Sequence, residues 1–319
     1  MRKLNLLILS LLFLISGTQA SALTLEKIKY GDFSNWVTRH ISESSAIGGK
    51  KKTIYAIGPT TTINGNKAYS NMGGSPWATS NVYAKVMGIS KATNSVEPAM
   101  VNGNKMAKLT TKIEEVKVLK MIDMEVMVTG TLFLGKVREP ISSTSSPYSK
   151  MEMGMPYTKR PKALVYDLKV DMPNVNTRIK ASGTGAKKTL QGRDQAEVYV
   201  ILQKRWEDAK GNIHALRVGT GRERFNKSIP LTKGHQLTIH YGDITGQSFY
   251  KSYMGLLNGK KAYYAYNSKG KLVPVQEEGW APANATPTHV LVMASTTCGE
   301  AFVGTVGITM YVDNFAFGF

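Results

Sequence analysis

Apolar and polar residues along this chain alternate with a period of two. Leu164, Tyr166, Leu168 and Val170 are interleaved with Asp167, Lys169 and Asp171, the spacing of a half-buried strand. In residues 196–203, Val198, Val200 and Leu202 point one way, and Glu197 and Gln203 the other. Tyr199 and Ile201 lie on that second face, so both faces of this strand are expected to be covered. Residues 81–87, 127–134, 214–218, 235–241, 289–294 and 308–317 read as further strands. They are rich in Val, Ile, Thr and aromatics, and Gly, Pro or Asn bound most of them.

Residues 112–127 (KIEEVKVLKMIDMEVM) are less regular. A short helix would place Ile113, Val116 and Lys120 on one face. The reading preferred here is a strand, a short helical turn and a strand. Residues 141–156 form a Ser/Pro-rich excursion of a length that is often functional or mobile. Recurrent strands with almost no helix predict an all-β sandwich or barrel.

The first 22 residues stand apart. Arg2 and Lys3 precede an apolar run over 4–15, and Ala20-Ser21-Ala22 follows. That layout is a secretory signal peptide, and the run is too short to span a bilayer. The expectation is a periplasmic or secreted protein with one domain over 23–319, no transmembrane segment in the mature chain and no lipid-acceptor Cys at the cleavage site.

Cys298 is the only cysteine, so no internal disulfide forms and stability must come from core burial. The expected state of Cys298 is a buried small hydrophobe. The chain carries a net charge of +19. This favours anionic partners such as acidic glycans or surface polymers. Export and the lack of any nucleic-acid motif argue against nucleic acid.

Four segments in order resemble one family, the putative carbohydrate metabolism domain of glycan-using Gram-negative bacteria. They are Gly31-Asp32-Phe33-Ser34-Asn35-Trp36, the stretch from Gly154 to Leu164 (GMPYTKRPKAL), Glu197 to Leu202 (EVYVIL), and Ser295 to Phe315 with its ending Met310-Tyr311-Val312-Asp313-Asn314-Phe315. The resemblance implies a jelly-roll β-sandwich with long loops and at most one or two short helices. It also resembles carbohydrate-binding modules whose first and last strands lie together around a structural calcium. By that likeness Asp32 and Asp313 would be the metal ligands, although Ser34 and Asn314 stand where the modules carry acids.

Sugar rings present apolar faces to flat aromatics and hydroxyls to amides or carboxylates. The aromatic candidates are Trp77, Trp206, Trp280, Tyr250, Tyr253, Tyr263, Tyr264 and Tyr266. Trp206 precedes the turn Glu207–Asn212, and Trp280 lies in a Gly/Pro loop. The Gly-rich segment 298–307 adds Glu300 as a hydroxyl acceptor and Phe302 as an aromatic. The expected carbohydrate-binding set is Trp206, Trp280, Tyr264, Tyr266, Glu300 and Phe302. No serine elbow or zinc spacing occurs. The reading is therefore a glycan-binding protein without assignable catalysis. Its alternatives are an unusual glycoside hydrolase or lyase and a structural or adhesive protein that contacts anionic polymers.

Overall fold

A computed structural model describes residues 22–70, 74–86, 88–118, 122–142, 147–183 and 185–319. The expected signal peptide falls almost wholly outside them. Among the described residues, helical structure is limited to 3-10 turns of three or four residues. The strands that matter for the site begin with β1 (Leu25–Lys27), β2 (Val96–Val101), β3 (Asn104–Thr110), β4 (Thr131–Val137) and β5 (Met151–Met153). Next come β6 (Ala163–Asp171), β7 (Ala196–Glu207), β8 (Ile213–Phe225) and β9 (Ile229–Thr238). The last four are β10 (Tyr264–Tyr266), β11 (Leu272–Trp280), β12 (His289–Ser295) and β13 (Thr309–Gly318).

Two sheets face each other. One has the order β9-β6-β13-β3-β2, with β1 added to β13. Leu25 lies opposite Gly318 and Lys27 opposite Ala316, so the opening and closing strands are neighbours. The second sheet runs β12-β7-β8-β11-β10-β5-β4, and β4 also pairs with β12. Its pairing path thus closes on itself as a ring. The main core lies where the layers meet: Leu164, Tyr166, Leu168, Val170, Met310 and Val312 from one, Val198, Val200, Leu202, Val290 and Val292 from the other. Each such side chain contributes roughly 1.5–3 kcal/mol by leaving water.

The alternation in β6 predicted a half-buried strand, but Asp167 is buried as well. Its two carboxylate oxygens accept Gly234 N at 2.7 Å and the Asn314 side-chain amide at 2.9 Å. Hydrogen bonding of this kind lets a carboxylate leave solvent. In β7 both faces are covered, as expected. Tyr199 and Ile201 project into the ring interior against Leu257, Leu291 and Met153. Residues 112–128 are two antiparallel strands, Lys112–Val118 and Ile122–Val128, with Lys112 opposite Val128. The expected helical turn between them lies outside the described residues.

Candidate functional site

The strand β7 is longer than the sandwich it helps to build. As far as Leu202 its outer face packs on the core, and beyond that point Lys204 and Trp206 are exposed. Trp206 pairs with His214 across the β7–β8 hairpin, and the two rings stack with centroids 5.5 Å apart and planes 18° from parallel. His214 is held on both sides: Nδ1 lies 2.5 Å from Glu278 Oε1, and Nε2 3.4 Å from Asp208 Oδ2. Partial loss of water lowers its pKa, but the hydrogen bonds to Asp208 and Glu278 outweigh this and raise it. Asp208 is fixed by its own turn. It accepts the Asn212 side-chain amide and the backbone N–H groups of Asn212 and Lys210, all at 2.8–2.9 Å. These bonds hold its carboxyl well below the usual range. Trp206 is 42 % exposed, which makes it a flat plate on a pinned histidine, with one face toward water.

Strand register extends this plate into a row. His214 lies opposite Gln276 in β11, Pro274 opposite Tyr264 in β10, Tyr264 opposite Glu152 in β5, and Glu152 opposite Lys136 in β4. Paired residues share a face of the sheet, as do residues two apart. Trp206, His214, Gln276, Tyr264, Glu152 and Lys136 therefore line the outside of the ring. Five strand spacings of ~4.8 Å give the row a curved path of about 24 Å around the ring. Tyr266, two residues beyond Tyr264, is 39 % exposed on the same face. The turn after it is tied to the turn after Trp206. Ser268 donates from N and Oγ to the Glu207 carboxylate at 2.8 and 2.6 Å, and the Asn267 amide donates to Gly211 O at 2.9 Å. At the β4 end, Tyr266 lines a cleft of about 130 Å³ with Tyr69, Lys136, Arg138, Lys150 and Glu152.

The row joins three of the residues expected from sequence, Trp206, Tyr264 and Tyr266; the others lie elsewhere. Trp280 pairs with Arg217, whose guanidinium sits 5.4 Å from its ring, so it covers the buried network inside the ring. Glu300 and Phe302 follow Ser295, which is opposite Glu197 at the far end of β7 from Trp206. Glu300 is paired with Lys180 at 3.1 Å. Phe302 adopts a positive φ of 63° beside a short strand pairing. Trp77 is 1 % exposed and packs edge-on against Phe33, with its indole N–H donated to Lys29 O. Cys298 is half-buried, and burial raises its thiol pKa.

Asp32 and Asp313 come near each other, but the groups that meet their oxygens are N–H donors, which suit a carboxylate and not a cation. Asp313 is buried; burial first, then the charges of Asp167 and Asp32, push its pKa up to about 6. Its Oδ2 accepts the Asn104 and Asn314 side-chain amides at 2.6 and 3.2 Å. With both oxygens of Asp167 also taken, Oδ1 of Asp313 alone lacks a partner in this pair. Asp32 bonds within its own turn to Ser34. Calcium takes six to eight oxygens, and among the described residues no three His, Cys, Asp or Glu side chains converge as a metal site. The residues present do not fit a resident calcium ion.

His214, Gln276, Glu152, Lys136 and Arg138 were not singled out from sequence. For His214 a signal existed: it mirrors Trp206 across the turn 207–213, so a hairpin reading of that turn pairs them. The other four reach the row through the pairings of β8 with β11 and of β5 with β10, between strands far apart in the chain, which no local pattern reports.

Two solved structures overlap this fold in part. A putative glycoside hydrolase from Bacteroides thetaiotaomicron has a TM-score of 0.42 and 16 % identity, over 85 % of this chain and 75 % of its own. A putative glycoside hydrolase from Bacteroides vulgatus has a TM-score of 0.42 and 12 % identity, over 92 % of this chain and 94 % of its own. At that overlap neither contributes to the functional reading. No curated protein matches the chain. The family profile is more telling: it matches residues 51–317, most of the chain and three of the four segments singled out from sequence. The protein belongs to the putative carbohydrate metabolism domain family.

Proposed function

We propose that this protein binds carbohydrate without cleaving it, along the row that runs from Trp206 to Lys136. The observation that carries the reading is the pinned, half-exposed Trp206 plate, on the same outer face of the ring as Gln276, Tyr264, Tyr266 and Glu152. Such a row offers stacking faces for sugar rings, with an amide and carboxylates for hydroxyls. Family membership, whose name refers to carbohydrate metabolism, supports the ligand class. A glycosidase needs a general acid of raised pKa beside a second carboxylate. At the Trp206 end of the row, the carboxyls of Asp208 and Glu207 in the adjoining turn shift the other way, held ionised by hydrogen bonds. Export of the protein, expected from residues 1–22, would give such a surface access to polysaccharide.

The test is affinity electrophoresis against a broad polysaccharide panel, with Trp206→Ala and Tyr266→Ala compared with wild type. Retardation of wild type, weakened at least tenfold by Trp206→Ala with an unchanged unfolding midpoint, is the expected result. No retardation of wild type by any member of the panel refutes the proposal.

A further inference from the structure

The cleft at the β4 end of the row has a charge balance that the rest of the row lacks. Of its two acids, Glu139 is spent. Its side chain is 2 % exposed; Oε1 accepts Arg39 Nη1 at 3.0 Å and Tyr83 N at 2.9 Å, and Oε2 accepts Arg39 Nη2 at 2.6 Å and Tyr69 N at 2.9 Å. All its strong acceptor positions are filled and its charge is cancelled by Arg39. Glu152 remains, 3.8 Å from Lys136. Against it stand Lys136, Arg138 and Lys150, an excess of two positive charges around a space of about 130 Å³. Among the described residues no carboxylate lies within ion-pair distance of Arg138 or Lys150. Arg138 N donates to Lys150 O at 2.7 Å, so the backbone sets these two cations side by side. The space equals roughly four water molecules, enough for a carboxylate or sulfate group. Tyr266 forms the wall that a sugar ring would lie against.

We infer that this cleft is a subsite for an anionic substituent, a carboxylate or a sulfate ester, on a sugar held by the row. The inference rests on the carbohydrate-binding reading and names its ligand class. Arg138 and Lys150 supply the charged hydrogen bonds, and Tyr266 stacks on the ring that carries the group. The Trp206 end, with Asp208 and Glu278, takes neutral units.

The experiment is titration calorimetry at about 0.15 M salt, where the Debye length is ~8 Å and remote charge is screened. Oligogalacturonate and a sulfated galactan oligosaccharide are each compared with their carboxyl-reduced or desulfated counterparts, which separates the two sources of charge. Wild type is expected to prefer at least one charged ligand by about tenfold. Arg138→Gln combined with Lys150→Gln abolishes that preference and leaves affinity for the neutral counterpart unchanged. Lys227→Gln combined with Lys233→Gln removes the same charge from β9 and its approach, and keeps the preference. Equal affinity for charged and neutral ligands overturns the subsite while leaving the carbohydrate reading intact. A preference that survives Arg138→Gln/Lys150→Gln, or falls equally in the Lys227/Lys233 variant, overturns it as bulk attraction. Binding of none of the four ligands refutes it.

Discussion

Glu277→Ala gives a sharp test of how the ring supports the row. Glu277 lies inside the ring with no exposed side-chain surface, and so does Arg217. Its carboxylate accepts Gln203 Nε2 at 2.6 Å, Arg217 Nε at 2.7 Å, Arg217 Nη2 at 2.5 Å and Leu257 N at 2.5 Å. It therefore ties β7, β8, β11 and the segment before β10 together at one point. Without it, Arg217 keeps neutral acceptors alone, Thr220 Oγ1 and the carbonyls of Met254 and Gly255. Breaking a buried pair and stranding one charge costs about 3–5 kcal/mol. In a chain of this size each kcal/mol moves the midpoint by roughly 2 °C, so calorimetry should show a fall of about 8 °C. Replacing both partners, Glu277→Leu with Arg217→Met, removes the stranded charge and should recover most of the loss, because apolar isosteres of buried pairs are often near neutral. A single variant within about 1 kcal/mol of wild type, by the large-loss criterion for buried charge, would refute the reasoning. A double variant no better than the single one would show that packing, not charge, made the difference.

Other outcomes follow from the same geometry. The His214 pKa is raised, so the stability it contributes is complete below its unfolded value of about 6.5 and is lost as pH rises through the folded value; NMR titration should find a midpoint above 6.5, lowered by Glu278→Gln. Asp313 shows the opposite sign for an acid: its pKa rises from 3.8 to about 6, so ionising it costs folding energy between those values. Asp313→Asn should therefore stabilise at neutral pH by at most about 3 kcal/mol, at 1.36 kcal/mol per pKa unit, and this advantage should vanish below about pH 4, near the unfolded Asp value. Denaturant titrations at pH 3.5 and 7.5 compare the two, and equal midpoints at both would count against the shift. At Gly135 (φ +150°) an added Cβ would sit 2.1 Å from Glu152 O. Gly135→Ala should push β5 from β4 at a cost of roughly 1–3 kcal/mol and weaken any ligand that uses the cleft. Unchanged unfolding and binding would contradict that placement.

What the sequence determined by itself was the class of structure and its family. Alternation with a period of two depends only on neighbours in the chain, so the strand of Leu164, Tyr166, Leu168 and Val170, and the double-sided strand of Tyr199 and Ile201, could be read directly. The opening and closing motifs were legible for the same reason, and the structure sets those strands side by side. The site was legible only in part. Trp206, Tyr264 and Tyr266 were found as loop-edge aromatics. Trp280, Glu300 and Phe302 carried an equal local signal, yet the fold sends one over a buried arginine and two to the opposite end of β7. Tertiary structure alone decided which aromatics share a face, and that Glu139 is neutralised while Arg138 and Lys150 are not. Register between strands 60 to 120 residues apart sets the first outcome, and a side-chain contact with Arg39, 100 residues away, sets the second; both arise from the packing of whole sheets rather than from any window of sequence.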